Sequence, residues 1–484
     1  MNNVEHFPLM IADADTVKAE AKALEVRSPY DDQLLATVAT ANAAAVEQAL
    51  RQASRLFADR NKWIAVDQRI ATLERMIALL YEQADELALG ATLEGGKPLI
   101  DSRIEMARCI DSIRICIDTL RTDHSNPPVM GVNAASKNRV ALIQKEPIGV
   151  VVAVSAFNHP LNLIAHQIAP AIAAGCPVIV KPAADTPLSC LRLVQLFHQA
   201  GVPKGWCQCI VPESRTLAEA LVTDARVAFF SFIGSATVGW HLRSKLAAGT
   251  RCALEHGGVA PVIVCKDAHI KAALPGLMKG AFYHAGQVCV SVQRVFAHAS
   301  IARELADKMA TQAKALVVGD PASDQTEVGP LIRAREVDRI KLWVKEAVAG
   351  GAKLLCGGDK LDHHCYAPTV LFDPPHDASV STREVFGPVV CIYPFTELEA
   401  AIAEANRLDV AFQASVYSRN IDTALGIANR LDASAVMIND HTAFRVDWMP
   451  FAGLKHSGLG VGGIPFAMND MQIEKMTVIH SDAI

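Results

Sequence analysis

Two short stretches of the 484-residue chain carry residue types that together could do covalent chemistry. Gly286-Gln287-Val288-Cys289 offers a thiol in a glycine-flanked turn, and Leu254-Glu255-His256-Gly257-Gly258 offers a carboxylate beside paired glycines. They lie 289 − 255 = 34 residues apart. A thiolate attacks carbonyl carbon readily, and a positioned carboxylate can draw a proton from water. A buried cysteine by itself is more often an inert packing residue, so the reading depends on what the rest of the chain places around it.

The bulk properties limit that setting. A hydrophobic fraction of 51%, a charged fraction of 20% and a net charge of −5 describe a packed globule of two or more domains. There is no basic cluster with interleaved aromatics, so nucleic acid is not an expected partner. Residues 1–10 lack a basic segment leading into an apolar one, so no signal peptide is expected. The most apolar region, 149–180, is interrupted by Asn158, His159, Asn162, His166 and Gln167 and fails as a membrane span. Twelve cysteines show no metal-ligand spacing, and free thiols at that density suit a reducing cytoplasm; no metal is expected.

The elements that must hold the thiol and carboxylate follow from periodicity. Residues 43–60, 66–89 and 101–120 read as amphipathic helices, the last two separated by Glu94-Gly95-Gly96-Lys97-Pro98. Residues 129–146 read as an extended segment, a candidate projecting hairpin. From Pro147 the period changes. The apolar runs 149–154 and 177–180, with 208–211 and 227–232, read as buried strands alternating with helices, the pattern of a doubly wound α/β domain. Thr186-Pro187 reads as the N-cap and first turn of a helix reaching about residue 200. A second α/β region spans roughly 255–451, and the tail 471–481 returns to extended character.

Two features of the first region suit a nucleotide. Gly234-Ser235-Ala236-Thr237-Val238-Gly239 follows a strand and opens a helix, which would aim backbone N–H groups at a pyrophosphate. It is GxxxxG rather than GxGxxG, and alone it also fits an ordinary strand-to-helix turn. Lys181 stands at the carboxyl end of a strand, where open α/β sheets bind ligands.

Taken together the motifs resemble the aldehyde dehydrogenase superfamily over essentially the full chain. They are Phe157-Asn158-His159-Pro160-Leu161, Lys181-Pro182, Phe232-Ile233-Gly234-Ser235, Leu254-Glu255-His256-Gly257-Gly258, Gly286-Gln287-Val288-Cys289, Glu384-Val385-Phe386-Gly387-Pro388 and Pro450-Phe451-Ala452-Gly453 with Lys455, Ser457 and Gly458. The resemblance implies two doubly wound α/β domains plus a small β oligomerisation arm. Residues 1–125 and 147–254 would form the dinucleotide-binding domain, 255–451 the catalytic domain, and 126–146 with 465–484 the hairpin and C-terminal arm. A homodimer or homotetramer would follow.

It also implies roles. Cys289 would attack an aldehyde, Asn158 and the Cys289 N–H would hold the oxyanion, and Glu255 would activate the water that hydrolyses the thioester. Lys181, Gly234, Ser235, Gly239, Glu384 and Phe386 would bind the cofactor. NAD is expected, but Ala184 stands where many relatives carry a glutamate that repels a 2′-phosphate, so NADP stays open. Gln167 occupies the place of a lysine proposed in relatives to relay protons. A CoA-acylating enzyme or a catalytically retired homologue are the alternatives, and Glu255 with Cys289 and Asn158 argues against both.

For the substrate, His159, His166, Phe444, Arg445 and Phe451 match tunnel or loop positions, and Arg108 belongs to a helix that lines the other wall. Two arginines and a histidine converging there would suit a small anionic aldehyde, as in the phosphonoacetaldehyde and lactaldehyde branch. The bland counterpart is Arg445 paired with Asp447 or Asp440 and Arg108 as a surface charge. Val288 adds no charge beside the cysteine.

Overall fold

Strand Val150–Val154 shows why the first domain is built as it is. All five residues are buried. Val151 and Ala153 enter one apolar cluster with Leu73, Ile110, Ile168 and Leu193, while Val150, Val152 and Val154 enter another with Val46, Leu50 and Phe230. Alternate side chains thus feed opposite faces, and helices cover both. The computed structural model describes residues 4–17, 23–123 and 125–483. The remaining positions of the expected segments 1–125 and 465–484 lie outside the described residues.

The first sheet runs, edge to edge, Gly458–Leu459, Arg251–Glu255, Val227–Ile233, Val150–Val154, Val178–Lys181, Cys207–Cys209. Its pairs are parallel except the first. The chain enters at the centre, steps outward twice, then returns to the other side of its first strand. Such a reversal opens a crevice at the carboxyl ends of the strands. The second sheet has seven strands in the order Lys353–Cys356, Thr369–Phe372, Val389–Phe395, Arg294–His298, Pro261–Val264, Gln413–Tyr417, Ala435–Ile438. Again the chain starts near the middle, and only the outermost pair, 353–356 with 369–372, is antiparallel. The mixed α/β, doubly wound expectation holds for both sheets. Glu255 ends a strand of the first sheet, whereas Cys289 precedes strand Arg294–His298 of the second.

Three local expectations are corrected. The helix expected over 66–89 is two, Val66–Glu82 and Ala84–Gly95, because Gln83 leaves helical geometry at φ −113° and ψ 14°. Helix Pro187–Gln199 has proline in its first turn, but Thr186 makes no side-chain cap. The Leu188 and Ser189 N–H groups donate instead to buried Glu94, each at 2.8 Å. Finally, Arg139–Pro147 is not half of a local hairpin. It pairs antiparallel over nine residues with Gln472–His480, at the other end of the chain.

Candidate active site

A cavity of about 530 Å³ opens at the carboxyl ends of the first sheet. Asn158, Lys181, Ser235 and Glu255 reach it from the first sheet and its loops, and Cys289 and Glu384 from the loops of the second. The pairing of thiol and carboxylate read from the sequence is therefore made across two separately built sheets.

The turn that carries Cys289 is conformationally forced. His284 and Ala285 have φ of 48° and 52°, and Gly286 follows at 70°. A Cβ on Gly286 would stand 2.1 Å from the Gly387 carbonyl oxygen, so glycine is required there. Gln287 pins the turn: its Nε2 donates to the Pro330 carbonyl at 3.2 Å and its Oε1 accepts from the Ile332 N–H at 3.0 Å. The Asn158 Nδ2 donates to the Gln287 carbonyl at 2.9 Å, which uses one of its two N–H groups and leaves the other for a ligand. The Gly258 N–H donates to the Cys289 carbonyl at 3.2 Å, tying the two opening motifs together. Burial pushes the Cys289 thiol up, the Glu255 charge adds to that, and Arg445 opposes it.

A buried ion pair supports the Asn158 loop. The Lys97 ammonium bonds Glu105 and donates to the Asn158 carbonyl at 3.0 Å. The Glu105 carboxylate accepts the Leu161 and Asn162 N–H groups at 2.8 and 2.9 Å, supplying the cap of helix Asn162–Ala174 from another element.

Burial also raises Glu255 and Glu384, two of the carboxyl groups that line the cavity. Glu255 is pushed up, with Arg445 and then Arg108 opposing. Glu384 is pushed up to about 8, and its Oε1 has no hydrogen-bond partner among the described residues. A Cβ on Gly257 would lie 1.9 Å from that oxygen, so the first glycine after Glu255-His256 is what admits the Glu384 carboxylate. An orphaned acceptor in such a cradle suits the hydroxyls of a ribose, and Phe386 lies beside it with Phe157 edge-on at 5.8 Å. The residues present thus fit a nicotinamide dinucleotide.

At the other end the charges form a network around Asp447. Arg108 clasps it with two bonds of 3.0 and 2.6 Å. The His166 Nε2 lies 2.8 Å from Asp447 Oδ1. Burial would push the Asp447 carboxyl up, but the His166 hydrogen bond and the Arg108 guanidinium outweigh it and hold it well below the usual carboxylate range. Burial lowers His166 to about 4, so it is neutral at pH 7 and donates from Nε2, leaving Nδ1 to face the Arg445 guanidinium at 3.4 Å. Arg445 is nine-tenths buried, lies 3.5 Å from the Phe451 ring centroid, and sits 3.9 Å from both Asp447 and Glu255. Its Nε has no hydrogen-bond partner among the described residues.

Of the residues singled out from sequence, Arg108, Asn158, His159, Lys181, Gly234, Ser235, Glu255, Cys289, Glu384, Phe386, Arg445 and Phe451 border the cavity. Three do not. A Cβ on Gly239 would stand 2.0 Å from the His256 ring, so this glycine serves helix packing rather than a pyrophosphate contact. His166 stands behind Asp447. Phe444 is 42% exposed and lines no part of the cavity. His159 reaches the cavity, but burial holds it far below its usual range and its Nε2 bonds the Tyr283 hydroxyl at 3.2 Å, so it brings no positive charge. Tyr283, Arg215 and Arg333 were not singled out from sequence. Arg215 opens the helix after strand Cys207–Cys209, the same strand-end logic that picked out Lys181.

The comparisons agree with this geometry. The model of the aldehyde dehydrogenase family matches residues 16–477. The 3-sulfolactaldehyde dehydrogenase of Priestia megaterium is 36% identical over 461 residues, covering 95% of each chain. Among solved structures, aldehyde dehydrogenase 21 of Physcomitrella patens, in complex with its reaction product succinate, aligns with a TM-score of 0.93 at 33% identity over 99% of this chain and 98% of its own. The glyceraldehyde-3-phosphate dehydrogenase GapN of Methanocaldococcus jannaschii, complexed with NADP, aligns at 0.91 and 32% identity over 96% of this chain and all of its own. With a thiol, a facing carboxylate and a dinucleotide cradle at one crevice, this chain belongs to the aldehyde dehydrogenase family and is an NAD(P)-dependent aldehyde dehydrogenase.

Proposed function

We propose that the enzyme oxidises a small anionic aldehyde to its carboxylate. The observation that carries this reading is Arg445: a buried guanidinium beside Glu255 and the cavity that holds Cys289, whose Nε–H has no hydrogen-bond partner among the described residues. Arg108 is already matched by Asp447, and His159 is neutral. Arg445 is thus the cation that a carboxylate, sulfonate or phosphonate on the substrate would meet. The relatives acting on sulfolactaldehyde and yielding succinate support the class. Phosphonoacetaldehyde fits the same charge, and lactaldehyde is the neutral alternative.

In this reading the Cys289 thiolate adds to the aldehyde carbon. The free Asn158 N–H and the Cys289 N–H steady the oxyanion, a contribution of roughly 3–4 kcal/mol per donor. The bound nicotinamide supplies the hydride acceptor. Glu255 then takes a proton from water as the water oxygen bonds to the thioester carbon, and Cys289 leaves. Glu384 and Phe386 hold the nicotinamide ribose and ring, and Lys181, Gly234 and Ser235 the adenosine end.

NAD is the first choice of cofactor, and the adenosine end leaves NADP open. Lys181 and Arg215 border the adenosine end, Ala184 presents no carboxylate, and Asp185 is engaged by the Arg333 Nε at 2.7 Å. For the remaining segments, the division at 1–125 with 147–254, 255–451, and 126–146 with 465–484 is retained as the functional plan. The ribbon of Arg139–Pro147 and Gln472–His480 exposes Leu142, Met476 and Val478, which favours its use between subunits of a homodimer or homotetramer. Twelve cysteines without a disulfide favour a cytoplasmic setting.

The test is kcat/KM across sulfolactaldehyde, phosphonoacetaldehyde, succinate semialdehyde, lactaldehyde and propanal. An anionic aldehyde leads the series; a preference for propanal that survives Arg445→Met overturns the reading.

A further inference from the structure

His159 and Tyr283 form a hydrogen-bonded pair on the cavity wall that the chemistry at Cys289 leaves unused. One partner comes from the loops of each sheet: His159 lies after strand Val150–Val154, and Tyr283 before strand Arg294–His298. His159 follows Asn158 directly in the chain. Tyr283 packs, as Cys289 does, against the apolar group of Val288, Val290, Phe412 and Phe451. The pair therefore adjoins the two groups that would hold the reacting carbon.

Both partners are neutral at pH 7. Burial holds His159 far below the usual histidine range, with Lys97, His284, Arg108 and Arg445 adding to that, and burial pushes the Tyr283 phenol up. A neutral imidazole has one N–H and one lone-pair nitrogen, and a phenol has one O–H and can accept. The bond from His159 Nε2 to Tyr283 Oη, at 3.2 Å, uses one donor and one acceptor. If the phenol donates, the Nδ1–H and a phenol lone pair remain. If the Nε2–H donates, the phenol O–H and the Nδ1 lone pair remain. Either tautomer leaves the pair with one donor and one acceptor. Neither His159 Nδ1 nor Tyr283 Oη makes another hydrogen bond among the described residues.

A hydroxyl gives one hydrogen bond and takes another, so it matches both. An ionised carboxylate, sulfonate or phosphonate only accepts, and a methylene does neither. The pair is also held in place. The Lys279 ammonium lies 4.5 Å from the Tyr283 ring centroid and donates to Asp101 at 2.8 Å, and the His284 ring meets His159 edge-on at 6.0 Å. Groups fixed in advance lose little freedom on binding and discriminate against a ligand that cannot pair with them.

We propose that His159 and Tyr283 are specificity-determining residues that read a hydroxyl on the carbon next to the aldehyde, which makes the substrate a 2-hydroxyaldehyde with an anionic end. The anionic end rests on the reading of Arg445 given above; the hydroxyl does not. Asn158 and the Cys289 N–H hold the aldehyde oxygen, Arg445 the anionic end and the His159–Tyr283 pair the hydroxyl. Three points of attachment on different walls fix the hand of the hydroxylated carbon, so one enantiomer is preferred.

The experiment compares kcat/KM for the separate enantiomers of 3-sulfolactaldehyde with 3-sulfopropanal, which lacks only the hydroxyl, and for the enantiomers of lactaldehyde with propanal. Water can take the place of a missing hydroxyl, so in each series the better enantiomer should lead the deoxy aldehyde by on the order of 10²-fold, and its mirror image by about tenfold or more. Tyr283→Phe and His159→Phe should each cut the hydroxyl ratio to about tenfold or less, because the loss falls mainly on the hydroxylated member. Arg445→Met should lower the sulfonated series and keep the hydroxyl ratio of the neutral one. A hydroxyl ratio that stands in lactaldehyde against propanal, with no preference for the sulfonated series, supports the pair while striking the reading of Arg445. A parent ratio near one in both series overturns the proposal without any variant having to fold. Equal losses on hydroxylated and deoxy aldehydes in Tyr283→Phe overturn it as well.

Discussion

The two ends of the cavity both carry basic residues, but they are built on different terms. At the end proposed for the substrate, Arg108 and Arg445 meet Asp447 and Glu255 in a largely buried cluster, where Asp447 is 2%, Arg445 9%, Glu255 15% and Arg108 26% exposed by side chain. At the adenosine end, Arg333 meets Asp185 at 38% and 22% exposure, and water shares the work. Coulomb attraction in the dry cluster is several times stronger than at the wet end. The cost of an unmatched charge rises with it. Recognition by charge would therefore be strict at one end and tolerant at the other, in keeping with the proposed anionic substrate and an NAD(P) cofactor.

The comparison can be broken most directly at the chemistry that lies between the two ends. Cys289→Ala should lower NADH formation by on the order of 10⁴-fold or more, the scale seen when a covalent nucleophile is removed. Retained turnover with any small aldehyde would sink the assignment. Glu255→Gln should cost about 10²–10⁴-fold in steady-state turnover and accumulate the thioester, detectable by intact mass.

Next in size comes the dry end. Asp447→Asn leaves the Arg108 guanidinium without its carboxylate and should destabilise the fold by about 3 kcal/mol, read by denaturant melts. The folded Asp447 carboxyl lies below its unfolded range, so its contribution is present above that range and is lost as pH falls through it. Acid unfolding of the variant should accordingly be shallower than that of the parent below about pH 4. The smallest effect belongs to the wet end. Ala184→Glu should shift the NAD to NADP ratio of kcat/KM toward NAD by about tenfold, roughly 1.4 kcal/mol of new repulsion. A shift as large as those at the dry end would erase the distinction.

What the chain revealed in advance follows the same physics. Cys289, Asn158 and Glu255 were legible because each lies in a short motif whose glycines or turn residues have local causes, such as the required φ at Gly286. His166 was misjudged because every residue of helix Asn162–Ala174 is buried, so periodicity cannot say which side meets the cavity. In Gly234 to Gly239 the pattern does not say that the second glycine makes room for the His256 ring. Phe444 was carried by its loop, which reaches the cavity through Ala443 and Arg445 instead. Hidden altogether were Glu94 and Glu105, which cap helices about 90 and 60 residues away; local sequence carries no trace of a partner that distant. The break at Gln83 was masked by an unbroken run of good helix formers.

The long ribbon has a bearing on how the chain is made. Pro147 faces Gln472 across it, a separation of 472 − 147 = 325 residues. During synthesis the strand Arg139–Pro147 therefore waits without its partner until residues 472–480 have left the ribosome. An open edge of that length invites pairing with a neighbouring nascent chain. Termination before residue 472 would leave that strand without its partner.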